Sequence, residues 1–428
     1  MQNITELYKM LENGELDGRL CEVYGGVRSE LAHKRARLQK LLEQYKASFG
    51  DTGTLGLYSG PGRTELGGNH TDHQRGCVLA AAVELDAIAA AAQTDNGIIK
   101  IISEGYPEVS VDLQELSPQN GELGTSAALV RGIAAKISSM GYTVGGFQAL
   151  VSSNVLGGSG LSSSAAYEVL IGVILNDIYC GNALSPIEIA QIGQYAENEF
   201  FGKPCGLMDQ LTSAVGGVVA IDFQDPAKPL VKRLEAALPP EGYSLCVIDS
   251  GGDHSNLTDE YAAIPDEMCA VARQLGKSVL REVSEADLWA QLPRLRTALG
   301  DRAVLRAIHF FNETRLAQEE AKALENGDFF EFLSLVRRSG ASSATLLQNI
   351  YCASRPNEQA LSIAIAAAEA RLGREGAVRV HGGGFAGTIQ AYVPLEETDK
   401  FRIDMESLLG AGCCHFLRIR PVGGAVLA

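Results

Sequence analysis

Glycine crowds this chain at separated places, and a patterned element follows each crowd. Residues 381 to 393 read HGGGFAGTIQAYV, with Gly382, Gly383, Gly384 and Gly387 inside seven positions. Glycine loses more freedom on ordering than any other residue, so bare backbone needs a use. Three are open: a turn of positive φ, a close crossing of two backbones, or amides that approach a phosphate. The alternation of Thr388, Gln390 and Tyr392 with Ile389, Ala391 and Val393 predicts a half-buried strand leaving the loop.

A second crowd, NVLGGSGLSSSAAYEVLIGVIL, begins at Asn154. Gly157, Gly158 and Gly160 precede Ser162, Ser163 and Ser164. Ala166, Val169, Leu170, Val173 and Ile174 then mark one face of a helix. A helix N-terminus with free amides attracts phosphate, and serine hydroxyls add hydrogen bonds or a Mg²⁺ contact. A serine-rich N-cap explains the same residues. The stretch is neither a Walker loop nor a dinucleotide fingerprint.

The third crowd, SGPGRTELGGNHTDHQRGCVL from Ser59, sets Arg63, Glu65, Asn69, His70, Asp72 and His73 between glycines. Mixed polar side chains on a bent loop suit a polyhydroxylated ligand. His70, Asp72 and His73 lack a third spaced partner for a metal. In YAENEFFGKPCGLMDQLTSAVGG, Asp209 sits among apolar neighbours, where an unpaired carboxylate is costly. It either caps a helix or works as a base, while Glu197 and Glu199 could reach a cation.

Composition narrows the classes. The net charge of -16 argues against nucleic-acid or anionic membrane partners. Nine scattered cysteines without a CxxC pair indicate free thiols in a reducing, cytoplasmic setting. Cys413 and Cys414 read as small hydrophobes in a strand. The acidic N-terminus carries no secretion signal, and the apolar run 77 to 92 is broken by Glu84 and Asp86.

The spacing predicts an exposed amphipathic helix over 27 to 49. A second should open at Ser185 with Pro186 and Glu188 in a capping box and stop at Gly202. The proline- and charge-rich 224 to 243 is a candidate connection between halves. A long helix from Asp301 should end at Asn326 and Gly327, and another open on Asp328 and Glu331. Arg306, His309, Glu313 and Arg315 read as structural groups on the surface of that long helix, and Trp289 as packing.

Taken in order, GRTELGGNHTDHQRGCVLAAAVELD, GGSGLSSSAA, FFGKPCGLMDQ and VHGGGFAGT resemble the motifs of the galactokinases within the GHMP small-molecule kinase family. The resemblance runs from about residue 22 to the end. It implies an α/β (α+β) fold with an N-terminal half like domain 2 of ribosomal protein S5 and a C-terminal ferredoxin-like half. The expected division is a helical extension at 1–56, then domains at 57–235 and 236–428. It also makes LAAAVELDAIAAAA a strand, although alanine propensity alone reads helix.

Carried over by position, the resemblance implies a catalytic Asp209 with Arg63 beside it. Asn69, His70, Asp72, Gly206 and Tyr261 would touch the sugar. Gly157, Gly158, Gly160, Leu161, Ser162, Ser163, Ser164 and Ala165 would surround ATP. Ser163 and Glu197 would hold Mg²⁺, and Gly382, Gly383 and Gly384 would support the phosphate loop. The implied reaction is transfer of the γ-phosphoryl group of ATP to the C1 hydroxyl of galactose by a monomer or weak homo-oligomer.

Four positions depart from the family pattern. Asn69 stands where galactokinases usually carry a glutamate that contacts the sugar's 6-hydroxyl. An amide there suggests another C6 group, which keeps galacturonate or an N-acetylhexosamine open as substrate. The phosphate loop is one residue longer, which keeps a silent sugar and ATP sensor open. Asp253 replaces an arginine near the catalytic aspartate, and the usual adenine-lining tryptophan is missing from NGELGTSAALVRG.

Overall fold

The alanine-rich run Cys77–Thr94 is one eighteen-residue strand, nearly all of it buried. Its small side chains admit close neighbours on both faces, so tertiary packing overrides helical propensity. The computed structural model describes residues 2–428 other than 27, 52, 158, 159 and 253–256, with backbone alone at 28–30.

Three helices come first: α1 (Ile4–Glu12), α2 (Asp17–Tyr24) and α3 (Arg28–Phe49). The first half continues with β1 (Gly56–Gly67), β2 (Cys77–Thr94), β3 (Ile98–Ser103), β4 (Val109–Asp112), α4 (Ser126–Ser139) and β5 (Gly146–Ser153). It ends with α5 (Ser163–Tyr179), α6 (Pro186–Ala196), a π turn over Glu197–Phe201, α7 (Met208–Val215), β6 (Val218–Asp222) and β7 (Leu230–Leu234). The second half runs β8 (Tyr243–Asp249), α8 (Thr258–Gln274), α9 (Glu285–Ala290), α10 (Leu292–Leu299), α11 (Asp301–Glu325) and α12 (Phe329–Ser342). There follow α13 (Ala360–Leu372), β9 (Ala377–His381), β10 (Thr388–Pro394), α14 (Thr398–Leu409), β11 (Cys414–Leu417) and β12 (Ala425–Val426).

The first sheet has the order β12-β1-β2-β5-β3-β4, with β6 and β7 added along the start of β2. Only β3 and β5 pair in parallel among the described strands. Helices α4 to α7 cover one face over a core that includes Phe147, Ile171 and Leu211. The N-terminal helices cover the other through Leu7, Leu20, Leu41 and Tyr45. The second sheet, β11-β8-β10-β9, is antiparallel throughout. Leu361, Phe401 and Met405 of α13 and α14 pack against it.

Several expectations are met locally. Ser185 and Glu188 form the capping box, and Gly202 turns the chain at φ 83°. Asp328 caps α12 by accepting from the Glu331 amide. Others need correction. The connection 224 to 243 contains β7, paired in register with β6. Strand β10 is buried on both faces rather than one. Its polar side meets β1 instead of water: the Gln390 Nε2 donates to Thr64 Oγ1 at 2.7 Å and to the Glu65 carbonyl at 3.0 Å. Trp289 is 49 % exposed and so does little packing. The tail leaves the second sheet altogether, since β12 pairs with β1. All nine cysteines are free.

Candidate active site

Arg63 lies between two register shifts in the β1–β2 pairing, at Pro61/Arg63 and Glu65/Gly67. Such bulges re-aim side chains. The guanidinium forks onto Asp209, Nε to Oδ1 at 2.6 Å and Nη2 to Oδ2 at 2.7 Å. Its third nitrogen donates to the Gly160 carbonyl. One buried arginine therefore ties the first turn of α7 to the glycine-serine loop. Burial alone would raise the Asp209 carboxyl, but the Arg63 charge and hydrogen bonds, helped by Ser162, hold it below its ordinary value. The carboxylate still keeps 30 % of its side-chain surface open.

Ser162 explains the loop in front of α5. It is the N-cap, in the left-handed region at φ 56°, and its side chain makes no capping bond. The hydroxyl donates instead to Asp209 Oδ2 at 2.6 Å. The amides of the first turn, where Ser163, Ser164 and Ala165 stand, are left without a side-chain cap. With the helix dipole behind them they form an anion-binding end. Leu161 is buried and anchors the loop, its carbonyl accepting from the Arg63 amide at 3.0 Å. Gly157 is exposed beside it. Gly158 and Asp253 lie outside the described residues.

The triple-glycine loop backs this end. A Cβ on Gly160, itself at φ 72°, would sit 3.0 Å from His381 Nδ1, and one on Gly382 would sit 3.8 Å from the Gly160 Cα. His381 is fixed between Thr388 Oγ1 at 2.9 Å and Thr64 Oγ1 at 3.0 Å. Tyr261 of α8 donates to the Gly384 carbonyl at 2.8 Å, and its ring leaves no room for a Cβ on Gly383.

The sugar-loop candidates gather on the same side. Gly206 lies directly against the Asp72 carboxylate, where any Cβ would overlap it. This contact sets the 68–76 loop beside the turn that leads into Asp209. His70, in the left-handed region at φ 58°, directs Nε2 to the Gly383 carbonyl at 3.0 Å. Burial and the neighbouring His73 push His70 down to about 4, so the ring is neutral and that nitrogen is the donor. Asn69 differs from its expected role. It is fully buried with its amide turned into the protein, so it cannot discriminate the group at C6 by direct contact.

Behind Asp209, its neighbour Gln210 donates through Nε2 to Glu168 Oε2 and Glu197 Oε2, both at 2.9 Å. Lys203 approaches Glu197 Oε1 at 3.2 Å. Burial and then Glu197 push Glu168 well above the usual carboxylate range. Glu199, two residues on from Glu197, is exposed. No cluster of three His, Cys, Asp or Glu suited to a metal occurs among the described residues. A hydroxyl and a single carboxylate still fit Mg²⁺, which keeps waters and takes substrate phosphates as its other ligands.

Sequence reading missed several groups here. Arg306, His309 and Glu313 are buried rather than on the surface, and only Arg315 of that set faces water. His309 and Glu313 grip the backbone of Asn69. Glu168 carried a readable signal, an acid inside the apolar face of α5; Asn349 and Lys203 carried none.

An arginine-held carboxylate between an uncapped helix start and a polar loop is an arrangement that would suit a phosphotransferase. The sequence profile of the GHMP kinases N terminal domain matches residues 128–217, and that of the galactokinase galactose-binding signature matches residues 43–93. The fold is similar to that of Lactococcus lactis galactokinase in complex with galactose, at 25% identity and TM-score 0.78 over 91% of this chain and 99% of that one. L. major mevalonate kinase with R-mevalonate shares the fold at 14% identity and TM-score 0.59 over 87% and 97% of the two chains. The D-glycero-D-manno-heptose 1-phosphate kinase from Bacteriodes thetaiotaomicron does so at 17% identity and TM-score 0.58, over 87% and 98%. The chain thus carries the GHMP kinases N terminal domain and the galactokinase galactose-binding signature on a GHMP kinase fold. It is a sugar kinase with ATP as phosphoryl donor.

Proposed function

We propose that the protein transfers the γ-phosphoryl group of ATP to the C1 hydroxyl of D-galactose, with Asp209 as the group that meets that hydroxyl. The observation that carries this reading is the Arg63 fork on Asp209, set where the uncapped start of α5 and the Asp72–Gly206 contact converge. A carboxylate held below its ordinary value is a weak base toward a ground-state alcohol. Asp209 therefore orients the hydroxyl and accepts its proton as the O–P bond forms, which a loose phosphoryl-transfer transition state allows. Arg63 keeps that carboxylate ionised and lays positive charge beside the incoming phosphate.

Ser162 and the first amides of α5 hold the phosphates, and Gly160 lets the chain turn there. Mg²⁺ would be held by Ser163 and Glu197 with ATP, and when bound it supplies charge neutralisation between phosphate oxygens. His70, Asp72, Gly206 and Tyr261 shape the sugar side, and Gly382 to Gly384 brace it. The expected setting is cytoplasmic, as a monomer or weak homo-oligomer. No helix among the described residues is long and apolar enough to cross a membrane. The uronate reading rested on Asn69, whose inward amide removes its basis.

A panel of galactose, galacturonate and N-acetylgalactosamine, read by ADP release, tests the substrate. Turnover should be confined to galactose and vanish with a chelator of divalent cations. Turnover of the uronate without galactose would sink the proposal. Asp209→Ala should cut kcat by about a thousandfold or more while galactose still binds.

A further inference from the structure

All four polar groups of Asn69 are engaged inside the protein. Its amide N–H donates to Glu313 Oε1 at 3.3 Å, and its carbonyl accepts from His309 Nε2 at 2.9 Å. Burial lowers His309, so that ring is neutral and donates through Nε2. The side-chain Nδ2 donates to Glu65 Oε1 at 3.0 Å and to the Gly382 carbonyl at 2.7 Å. The side-chain Oδ1 accepts from Asn349 Nδ2 at 2.8 Å.

Asn349 reaches this place because α12 ends in a π turn over Ser343–Leu347 and Gln348 then adopts φ 60°. The same Asn349 nitrogen lies 3.2 Å from the Gly383 carbonyl, and the Asn349 carbonyl accepts from the Phe385 amide at 2.5 Å. Carbonyls of Gly382, Gly383 and Gly384 thus receive Asn69, His70 with Asn349, and Tyr261 in turn. Positive φ at Gly382 and Gly384, 69° and 83°, turns successive carbonyls toward one side, which an ordinary residue resists. Glu65 closes the set through Arg379 Nη2 at 2.7 Å.

We propose that Asn69 and Asn349 are positioning residues: their paired amides lock the loop bearing His70 and Asp72 to the loop 382–384, and neither reads the sugar's C6 group. This inference rests on the sugar-kinase reading above. The lock holds the sugar loop at a fixed distance from the wall that also backs Gly160. Its release loosens the sugar side first, because His381 keeps its own ties to Thr64 and Thr388.

The test compares wild type, Asn69→Ala, Asn349→Ala and the double variant on galactose and 6-deoxygalactose, at a temperature where melting curves show each folded. Each single variant should raise the KM for both sugars by about tenfold and leave the KM for ATP within about twofold. The double should be no worse than the poorer single, because two halves of one contact are not additive. The ratio of kcat/KM for the two sugars should stay at its wild-type value. A ratio that collapses in Asn69→Ala would make Asn69 a reader of C6, and unchanged sugar KM values would make the pair merely structural; either overturns the proposal. If Asn69→Ala does not fold, Asn349→Ala carries the test alone. A wild type that does not phosphorylate galactose refutes the functional reading instead, and the lock is then read from galactose dissociation constants.

Discussion

Arg63 and Asp209 show how one ion pair sets a working protonation state. Burial opposes ionisation of Asp209, and the arginine outweighs it. A lowered folded value means that the pair stabilises the fold above the ordinary value of 3.8 and loses that contribution as pH falls through the folded one. In Arg63→Ala the largest opposition to burial is gone and only Ser162 and Lys203 still lower the carboxyl, so its value rises and the acid limb of kcat/KM should move to higher pH. An acid limb that stays in place would show that another group controls ionisation. The variant also leaves the Asp209 carboxylate without its cation, at a cost below the ~3–5 kcal/mol of a fully buried pair because 30 % of its side chain stays open to water. Asp209 was legible in the sequence because an acid among apolar residues needs a reason. The inward turn of Asn69 was not, since its partners lie at residues 309, 313, 349 and 382.

Element ends carry most of the site. Helix α5 starts on a serine whose hydroxyl faces Asp209, and the bare amides that result are the end proposed for the phosphates. Gly160→Ala adds a methyl 3.0 Å from His381 Nδ1 at a backbone angle of 72°. The KM for ATP should rise by about tenfold or more, and by more than the sugar KM, since strain of about 1–3 kcal/mol falls first on this loop. Equal rises in both KM values would show that the two subsites are not separable at this residue. The capping box at Ser185 and the cap at Asp328 were readable because their chemistry is local. The π turns over 197–201 and 343–347 were not, although the first holds the buried Glu197 and the second delivers Asn349.

At the scale of the whole molecule, the segment 418–420 joins the two halves along β2. The Glu84 amide donates to the Arg418 carbonyl at 3.0 Å, and the Arg420 amide to the Ala82 carbonyl at 2.8 Å. The Glu84 side chain accepts from the Arg418 amide. Burial pushes its carboxyl from 4.5 up to about 7, against the Arg418 hydrogen bond and the Lys34 charge. The folded state then binds the proton more tightly, so this group's contribution is complete below 4.5 and is lost as pH rises to about 7. Glu84→Gln should flatten that part of the stability profile, measured by melting temperature against pH; an unchanged slope would assign it elsewhere. The sequence by itself determined the three glycine loops and the helix caps, because each is encoded in a short contiguous pattern, while the order of four separated motifs carried the family resemblance and, through it, the expected Asp209 with Arg63 pairing. Tertiary structure alone decided that an alanine-rich run is strand, that β10 hides both faces, that His309 and Glu313 are buried, and that Asn69 faces inward. Those outcomes depend on which distant surfaces come to cover a residue, and local patterning carries no record of them.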